Sequence, residues 1–368
     1  MRALAAVRHT ARRAHTQALW HDVRGPPCEV LTFRDDVPVE TTVEGDRVRV
    51  RILASPVNPS DVNAIEGTYP GARAPPRVPG AEGVGEITEA GPASGRMVGE
   101  RVVANRSYDG GTWRREVVAS AKMFDVIDRD VPVHEAAMIT VNPCTAWRLL
   151  EDSGAREGET VVVNAATSGV GRALLQLARG RGIRTIAMCR PRESAVATEE
   201  AYESLRADGA DVVLADTDST RLRLDERTRE LASRARFGFN AVGGHSAQIM
   251  LRLLQPESGS ELVTYGGMSK QPLVAPTGAF IFKDIALKGF WLSRWLARDE
   301  IETGGAGRLD MLARVSDAIR SGTLRTPLDR VRDVPLADVL RVLRTDADAD
   351  ARTDVQTSIG RRKILIRA

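Results

Sequence analysis

The spacing of apolar residues changes character near Asn142. Before that point, short apolar runs alternate with polar positions. Arg47–Pro56 reads RVRVRILASP, with Val48, Val50, Ile52 and Ala54 in alternation, the pattern of a strand buried on one face. Comparable runs fall at 83–89, 100–104 and 116–119, punctuated by Gly80, Gly91, Gly110 and Gly111. The N-terminal region therefore reads as all-β.

Downstream, continuous apolar runs take over. TVVVN at 160–164 predicts a fully buried strand, followed by a glycine turn. A helix with Val170, Ala173, Leu174, Leu177 and Ala178 on one face comes next, then a second buried strand at Arg184–Cys189. Strand, helix and strand within about 30 residues make a βαβ unit. Further strands are expected at 211–214, 237–241 and 261–265, and this alternation implies a parallel sheet covered on both faces. The segments 309–319 and 334–344 read as helices, 217–236 as a charged surface helix, 346–354 as a solvated loop and 363–366 as a closing strand. The expected class is α/β. A β-rich catalytic domain (17–141 with 310–368) surrounds a doubly wound parallel-sheet domain (142–309).

A chain of 368 residues has room for two such domains. A net charge of +3 is too small to argue for a nucleic-acid partner, and no apolar run is long enough to insert in a membrane. The cysteines Cys28, Cys144 and Cys189 lie far apart, with no C-x-x-C. That excludes a cysteine-built zinc site and fits a reducing or matrix-like compartment. Arg2, Arg8, Arg12 and Arg13 precede the first acid, Asp22. Residues 1–16 thus have the composition of a mitochondrial transit peptide; a basic, frayed terminus is the alternative.

The turn after TVVVN runs Asn164-Ala165-Ala166-Thr167-Ser168-Gly169-Val170-Gly171. Small residues let the backbone turn sharply and approach a pyrophosphate, and the following helix offers free N–H groups to it. Ala165 and Ser168 stand where a G-x-G-x-x-G loop has glycines, so the loop persuades only through its place between a buried strand and an amphipathic helix. An NAD site would place an acid at the end of the second strand. The chain has Cys189-Arg190-Pro191-Arg192 there, and the Arg190 and Arg192 guanidinium groups favour a 2′-phosphate, hence NADPH. An ordinary solvated arginine pair is the bland alternative.

With these residues in hand, the chain resembles the mitochondrial trans-2-enoyl-CoA (acyl-carrier-protein) reductases of the medium-chain dehydrogenase/reductase superfamily. The resemblance runs from 18 to 366. It is carried by VNPSDVNAI (57–65), PGAEGVGE (79–86), GTWRRE (111–116), VNPCTAW (141–147), TYGGMSKQ (264–271) and IFKDIALKGFWLSRW (281–295). It implies a GroES-like catalytic domain, a Rossmann domain, NADPH as cofactor, a homodimer and reduction of an enoyl thioester carried by acyl carrier protein or CoA. Zinc-dependent members of the superfamily have cysteine where this chain resembles them at Asn58, and Gly-His-Glu where it has Gly80-Ala81-Glu82, so no metal site is expected.

Reducing a 2-enoyl thioester adds hydride at C3, builds enolate charge on the thioester oxygen and requires a proton at C2. The resemblance gives the donor role to Tyr69; by itself this residue reads as a loop tyrosine packed at a domain edge. It also implies cofactor contacts from Asn142, from Tyr265, Gly266, Gly267 and Met268, and from Phe290, Trp291 and Leu292. Trp291 and Trp295 alternatively read as core packing at i, i+4. Cys144 reads as a small buried group rather than a nucleophile. Arg362 takes the position of a cofactor-binding lysine, a departure from the Lys-Gln pair of the family. Two competitors share the fold: a zinc-free quinone oxidoreductase, and a non-catalytic crystallin-like or RNA-binding protein.

Overall fold

β3 (Arg47–Pro56) organises the first half of the chain because three strands pair with it. The computed structural model describes residues 13–217, 224–256, 259–349 and 362–368. The chain divides into two units, Met1–Thr140 with Thr326–Ala368, and Val141–Arg325. In the first, β1 (Arg13–Trp20) and β2 (Thr32–Glu40) form an antiparallel pair linked through α1 (Pro27–Val30). After β3 come α2 (Pro59–Glu66), β4 (Val84–Ala90), β5 (Arg101–Ala104), β6 (Glu116–Ser120), β7 (Phe124–Val126) and α3 (Val133–Met138). The alternation read in β3 is real: Val48, Val50 and Ile52 face a core with Ile87, Val102 and Phe124.

The second unit runs α4 (Asn142–Ser153), β8 (Thr160–Val163), α5 (Gly169–Gly180), β9 (Arg184–Cys189), α6 (Ala195–Asp208), β10 (Val212–Ala215), α7 (Glu226–Ala232), β11 (Ala235–Asn240), α8 (Gly244–Leu253), β12 (Glu261–Thr264), α9 (Thr277–Ile281), β13 (Ala286–Gly289), α10 (Leu292–Thr303) and α11 (Ala306–Arg320). Its six strands are all parallel in the order β10-β9-β8-β11-β12-β13. That is the doubly wound order, reversing between β8 and β11. Val161, Val162 and Val163 are fully buried, as a strand covered on both faces requires. The sequence reading ended this domain at 309, but α11 packs on α4 and α10 and groups with it through Arg325.

The chain then returns to the first unit as β14 (Val331–Pro335), α12 (Val339–Ala349) and β15 (Lys363–Arg367). β15 pairs antiparallel with β3 and parallel with β14, closing the seven-stranded sheet.

Several expectations need correction. The helix read at 334–344 starts only at Val339, because Val331–Pro335 pairs with β15. It continues to Ala349, four residues into the expected loop; the Asp-Ala alternation there contains no helix breaker. Of the charged segment 217–236, residues 218–223 lie outside the described residues, and the helix shrinks to α7. The N-terminal region is not all-β, since it contains α2 and α3. The first twelve residues of the expected leader lie outside the described residues, while Arg13–Trp20 is a strand whose first four residues pair with Val37 to Glu40. Among the described residues, no helix is long and apolar enough to cross a membrane.

Candidate active site

In an open parallel sheet, ligands bind beyond the carboxyl ends of the strands, near the point where the order reverses. β8 ends there, and the chain turns through Ala165, held at φ +46°, into α5. Ser168 is the N-cap, and its Oγ accepts from the Gly171 N–H at 3.1 Å. The remaining N–H groups of the first turn are free for an anion. Gly171 has no room for a side chain: a Cβ would lie 2.6 Å from Ala165 O and 2.7 Å from Ala166 Cα. At Gly169 a Cβ would lie 3.0 Å from the Asn142 amide, which places Asn142, the first residue of α4, against the same loop. Thr167 is half-buried within the turn.

The neighbouring strands deliver the other candidates to the same edge. β9 ends at buried Cys189, and Arg190 and Arg192 follow, both exposed. Burial pushes the Cys189 thiol pKa up, while Arg192 and Arg190 pull it down, so both cationic groups lie near the strand end. β12 leads into Tyr265, whose N–H donates to Asn240 O at 2.9 Å. The Tyr265 hydroxyl is buried beside Ser168 without a hydrogen bond of full geometry, and burial raises its pKa. Gly266 and Gly267 follow, then Met268, which is 44% exposed. β13 leads into Phe290, half-buried, then Trp291, 37% exposed, and Leu292, which opens α10. Neither Trp291 nor Trp295 is core; Trp295 lies under the Arg148 guanidinium at 4.6 Å. Cys144 is buried in α4.

Sequence reasoning missed what braces this edge. Asn164 Nδ2 donates to Asn240 Oδ1 at 2.7 Å and to Ser246 Oγ at 2.9 Å. Asn164 Oδ1 accepts from the Ala241 N–H at 2.7 Å, and Ser246 Oγ donates to Asp216 Oδ2 at 2.7 Å. This buried crossbar ties the ends of β8, β10 and β11 together. The one available signal was an asparagine closing each of two otherwise apolar strands, VVVN and FGFN.

The first unit carries Tyr69 and Arg362. Tyr69 lies just past α2, which Gly67 closes in the left-handed conformation at φ +82°. Its N–H donates to Asn63 O at 3.1 Å and its carbonyl accepts from the Ala72 N–H at 3.2 Å, so the tyrosine sits in a folded-back turn. Arg362 is exposed ahead of β15. Asn58 is buried and donates from Nδ2 to Glu82 Oε2 at 2.8 Å, and Ala81, just before Glu82, donates its N–H to Asp61 Oδ1 at 3.0 Å. Among the described residues, no three His, Cys, Asp or Glu side chains converge in a way that could hold a metal.

Comparison with known proteins agrees with this layout. Residues 44–125 match the alcohol dehydrogenase GroES-like domain family and residues 169–306 the zinc-binding dehydrogenase family. The mitochondrial enoyl-[acyl-carrier-protein] reductase of Xenopus tropicalis is 37% identical over 352 residues, covering 95% of this chain and 95% of the relative. That of Arabidopsis thaliana is 41% identical over 289 residues, covering 78% and 75%. The Candida tropicalis mitochondrial 2-enoyl thioester reductase Etr1p/Etr2p heterodimer superimposes with TM-score 0.77 at 25% identity, over 96% of this chain and 100% of the other. The complex of Etr1p with NADP and crotonyl-CoA gives the same TM-score, identity and coverage. The chain therefore belongs to the enoyl-[acyl-carrier-protein] reductase family of the medium-chain dehydrogenase/reductase superfamily.

Proposed function

We propose that this protein uses NADPH to reduce the trans-2 double bond of enoyl thioesters carried by acyl carrier protein or CoA, in mitochondrial fatty acid synthesis. The observation that carries the reading is the dinucleotide edge whose second strand ends in arginines instead of an acid, in a chain of this reductase family. The cradle fits the cofactor on its own terms, since Gly169 and Gly171 put no side chain at the start of α5 and a pyrophosphate can approach its N–H groups. Gly169 and Val170 present N–H groups to the pyrophosphate, while Thr167, Ser168 and Gly171 shape the turn, the Gly171 N–H being held by Ser168 Oγ. Arg190 and Arg192 take the 2′-phosphate. Asn142, Tyr265, Gly266, Gly267 and Met268 hold the nicotinamide half, and Phe290, Trp291 and Leu292 wall it.

Bound NADPH supplies the hydride for C3. Tyr69 either gives C2 its proton or donates a hydrogen bond toward the thioester oxygen while water gives C2 the proton; the charge on that oxygen develops only as the bond is reduced, so the tyrosine acts mainly on the transition state. The Tyr69→Phe variant keeps the ring and loses the donor. Turnover should fall about 10²–10⁴-fold if the hydroxyl acts as general acid, with NADPH affinity close to wild type. Stopped-flow turnover and cofactor titration on one preparation test both halves. Wild-type turnover would remove Tyr69 from the mechanism, and joint loss of turnover and NADPH binding would make it a packing residue.

A homodimer is part of the same reading. β13 is the outer strand of its sheet, and Phe280, Ile281 and Phe282 just before it are 44%, 66% and 80% exposed. A second copy would pair this edge and cover these side chains. A monomeric mass in light scattering at micromolar concentration would end that part of the proposal.

A further inference from the structure

Four segments of the first unit meet in one buried polar chain. Lys363 opens β15, and its Nζ donates to Asn58 Oδ1. Asn58 Nδ2 donates to Glu82 Oε2 at 2.8 Å, and Thr140 Oγ1 donates to the other oxygen, Oε1, at 3.2 Å. Asn58 and Glu82 are each 1% exposed. Desolvation lowers the Lys363 pKa, and Glu82 and Asp61 pull it back. The amide of Asn58 is thus gripped at both ends, by a cation on its oxygen and a carboxylate on its nitrogen. Charge-assisted hydrogen bonds in a dry interior are the strong ones, and they restrict rotation accordingly.

Asn58 is also the N-cap of α2. Its N–H donates to Asp61 Oδ2 at 2.8 Å, and Asp61 Oδ1 accepts from the Ala81 N–H at 3.0 Å. The start of α2 is therefore clamped to the turn that carries Glu82. The far end of α2 holds Tyr69, since the N–H groups of Thr68 and Tyr69 both donate to Asn63 O, at 2.8 and 3.1 Å. Eight helical residues span only about 12 Å. A tilt or rotation allowed at Asn58 is carried along so short a helix to the tyrosine.

We propose that Lys363 is a positioning residue for the reaction: through Asn58 it fixes the tilt of α2, and so the aim of the Tyr69 hydroxyl. This rests on the role given to Tyr69 above. The neighbouring Arg362 is exposed, while Lys363 turns into the unit. A lysine that merely held the fold together would change the yield of folded protein, and its loss would cost the same whether or not Tyr69 kept its hydroxyl.

The test uses the full chain as Lys363→Met, Lys363→Gln and Thr140→Val, each alone and combined with Tyr69→Phe. NADPH titration counts competent sites, and crotonyl-CoA turnover is expressed per site. Lys363→Met should lower kcat about ten-fold, with the NADPH Kd within about two-fold. Lys363→Gln keeps a donor for Asn58 and should hold kcat within about three-fold of wild type. In the Tyr69→Phe background, Lys363→Met should cost less than about two-fold more, because the group it positions is gone. Wild-type kcat in Lys363→Met, or the same loss in both backgrounds, overturns the proposal. Should Lys363→Met not fold, Thr140→Val loosens the other end of the chain; a loss of about three-fold that vanishes with Tyr69→Phe supports the proposal, and a loss that persists overturns it. Failure of the underlying reading looks different: Tyr69→Phe alone would then turn over like wild type.

Discussion

Placing a methyl group at Gly171 tests whether this loop is built to bring backbone against backbone. The Cβ of Gly171→Ala would lie 2.6 Å from Ala165 O and 2.7 Å from both Ala166 Cα and Ala166 O. Ordinary contact needs about 3.4 Å, so α5 and the loop must separate by close to 1 Å. The atoms in the way are main chain and cannot rotate aside. Overpacking of this kind costs about 1–3 kcal/mol, and the rigid neighbours put it near the upper end. At that value the melting temperature of this unit falls by about 6–12 °C. Separation also pulls the N–H groups off the pyrophosphate; losing one charge-assisted bond of about 1.5–3 kcal/mol weakens NADPH by one to two decades. Gly169→Ala is the control. Its Cβ meets only the Asn142 side chain, at 3.0 to 3.4 Å, which can move, and alanine gains about 1 kcal/mol of helix propensity over glycine. Its melting temperature should hold, while NADPH affinity reports the displaced Asn142. Calorimetry and cofactor titration on both variants decide the matter. A Gly171→Ala protein that melts and binds like wild type, or a Gly169→Ala protein damaged as badly, would refute the reasoning.

Replacing Arg190 and Arg192 with Ala should weaken NADPH by about one to two decades and leave NADH nearly unaffected; equal loss with both cofactors would show that the pair does not read the 2′-phosphate. Ala165 sits at φ +46°, where an L-residue costs about 1–2 kcal/mol, so Ala165→Gly should stabilise by roughly 0.5 kcal/mol after glycine's extra chain entropy; a destabilised variant in chemical denaturation would contradict this. Burial pushes the Tyr108 hydroxyl, which donates to Gly111 O at 2.7 Å, up to about 12. Because its folded pKa lies above the unfolded value near 10, its contribution is fully present below pH 10 and is lost as pH rises through 12. Urea unfolding at pH 9 and pH 11 should show that loss in the wild type, and Tyr108→Phe should reduce it; an unchanged pH dependence would count against the assignment.

What could be read from sequence follows from where the physics is local. β8 and β9 were legible because both faces of each are buried, and Arg184–Cys189 is the observed strand end to end. Most of the cofactor candidates follow the carboxyl end of a strand, whereas Asn142 opens α4 and Arg362 precedes β15, and only the observed strand order brings those strand ends to one edge. α2 was hidden by its length, with Pro59 at its first position and Asp61 three residues after Asn58 as its only marks. β1 was hidden because Arg13 to Thr16 share the basic, acid-free composition of what precedes them. The Asn164–Asn240 bond joins residues 76 apart, and the Lys363–Asn58 bond residues 305 apart. No periodicity or motif reports pairings at that range.

The central claim, that this chain reduces enoyl thioesters with NADPH, is tested most directly by identifying the product. Purified protein with NADPH and crotonyl-CoA should oxidise one NADPH for each butyryl-CoA formed, with little oxidation when a quinone replaces the thioester. NADPH oxidation sustained by the quinone with no saturated thioester formed would contradict the account, as would absence of turnover with either acceptor by protein that binds NADPH.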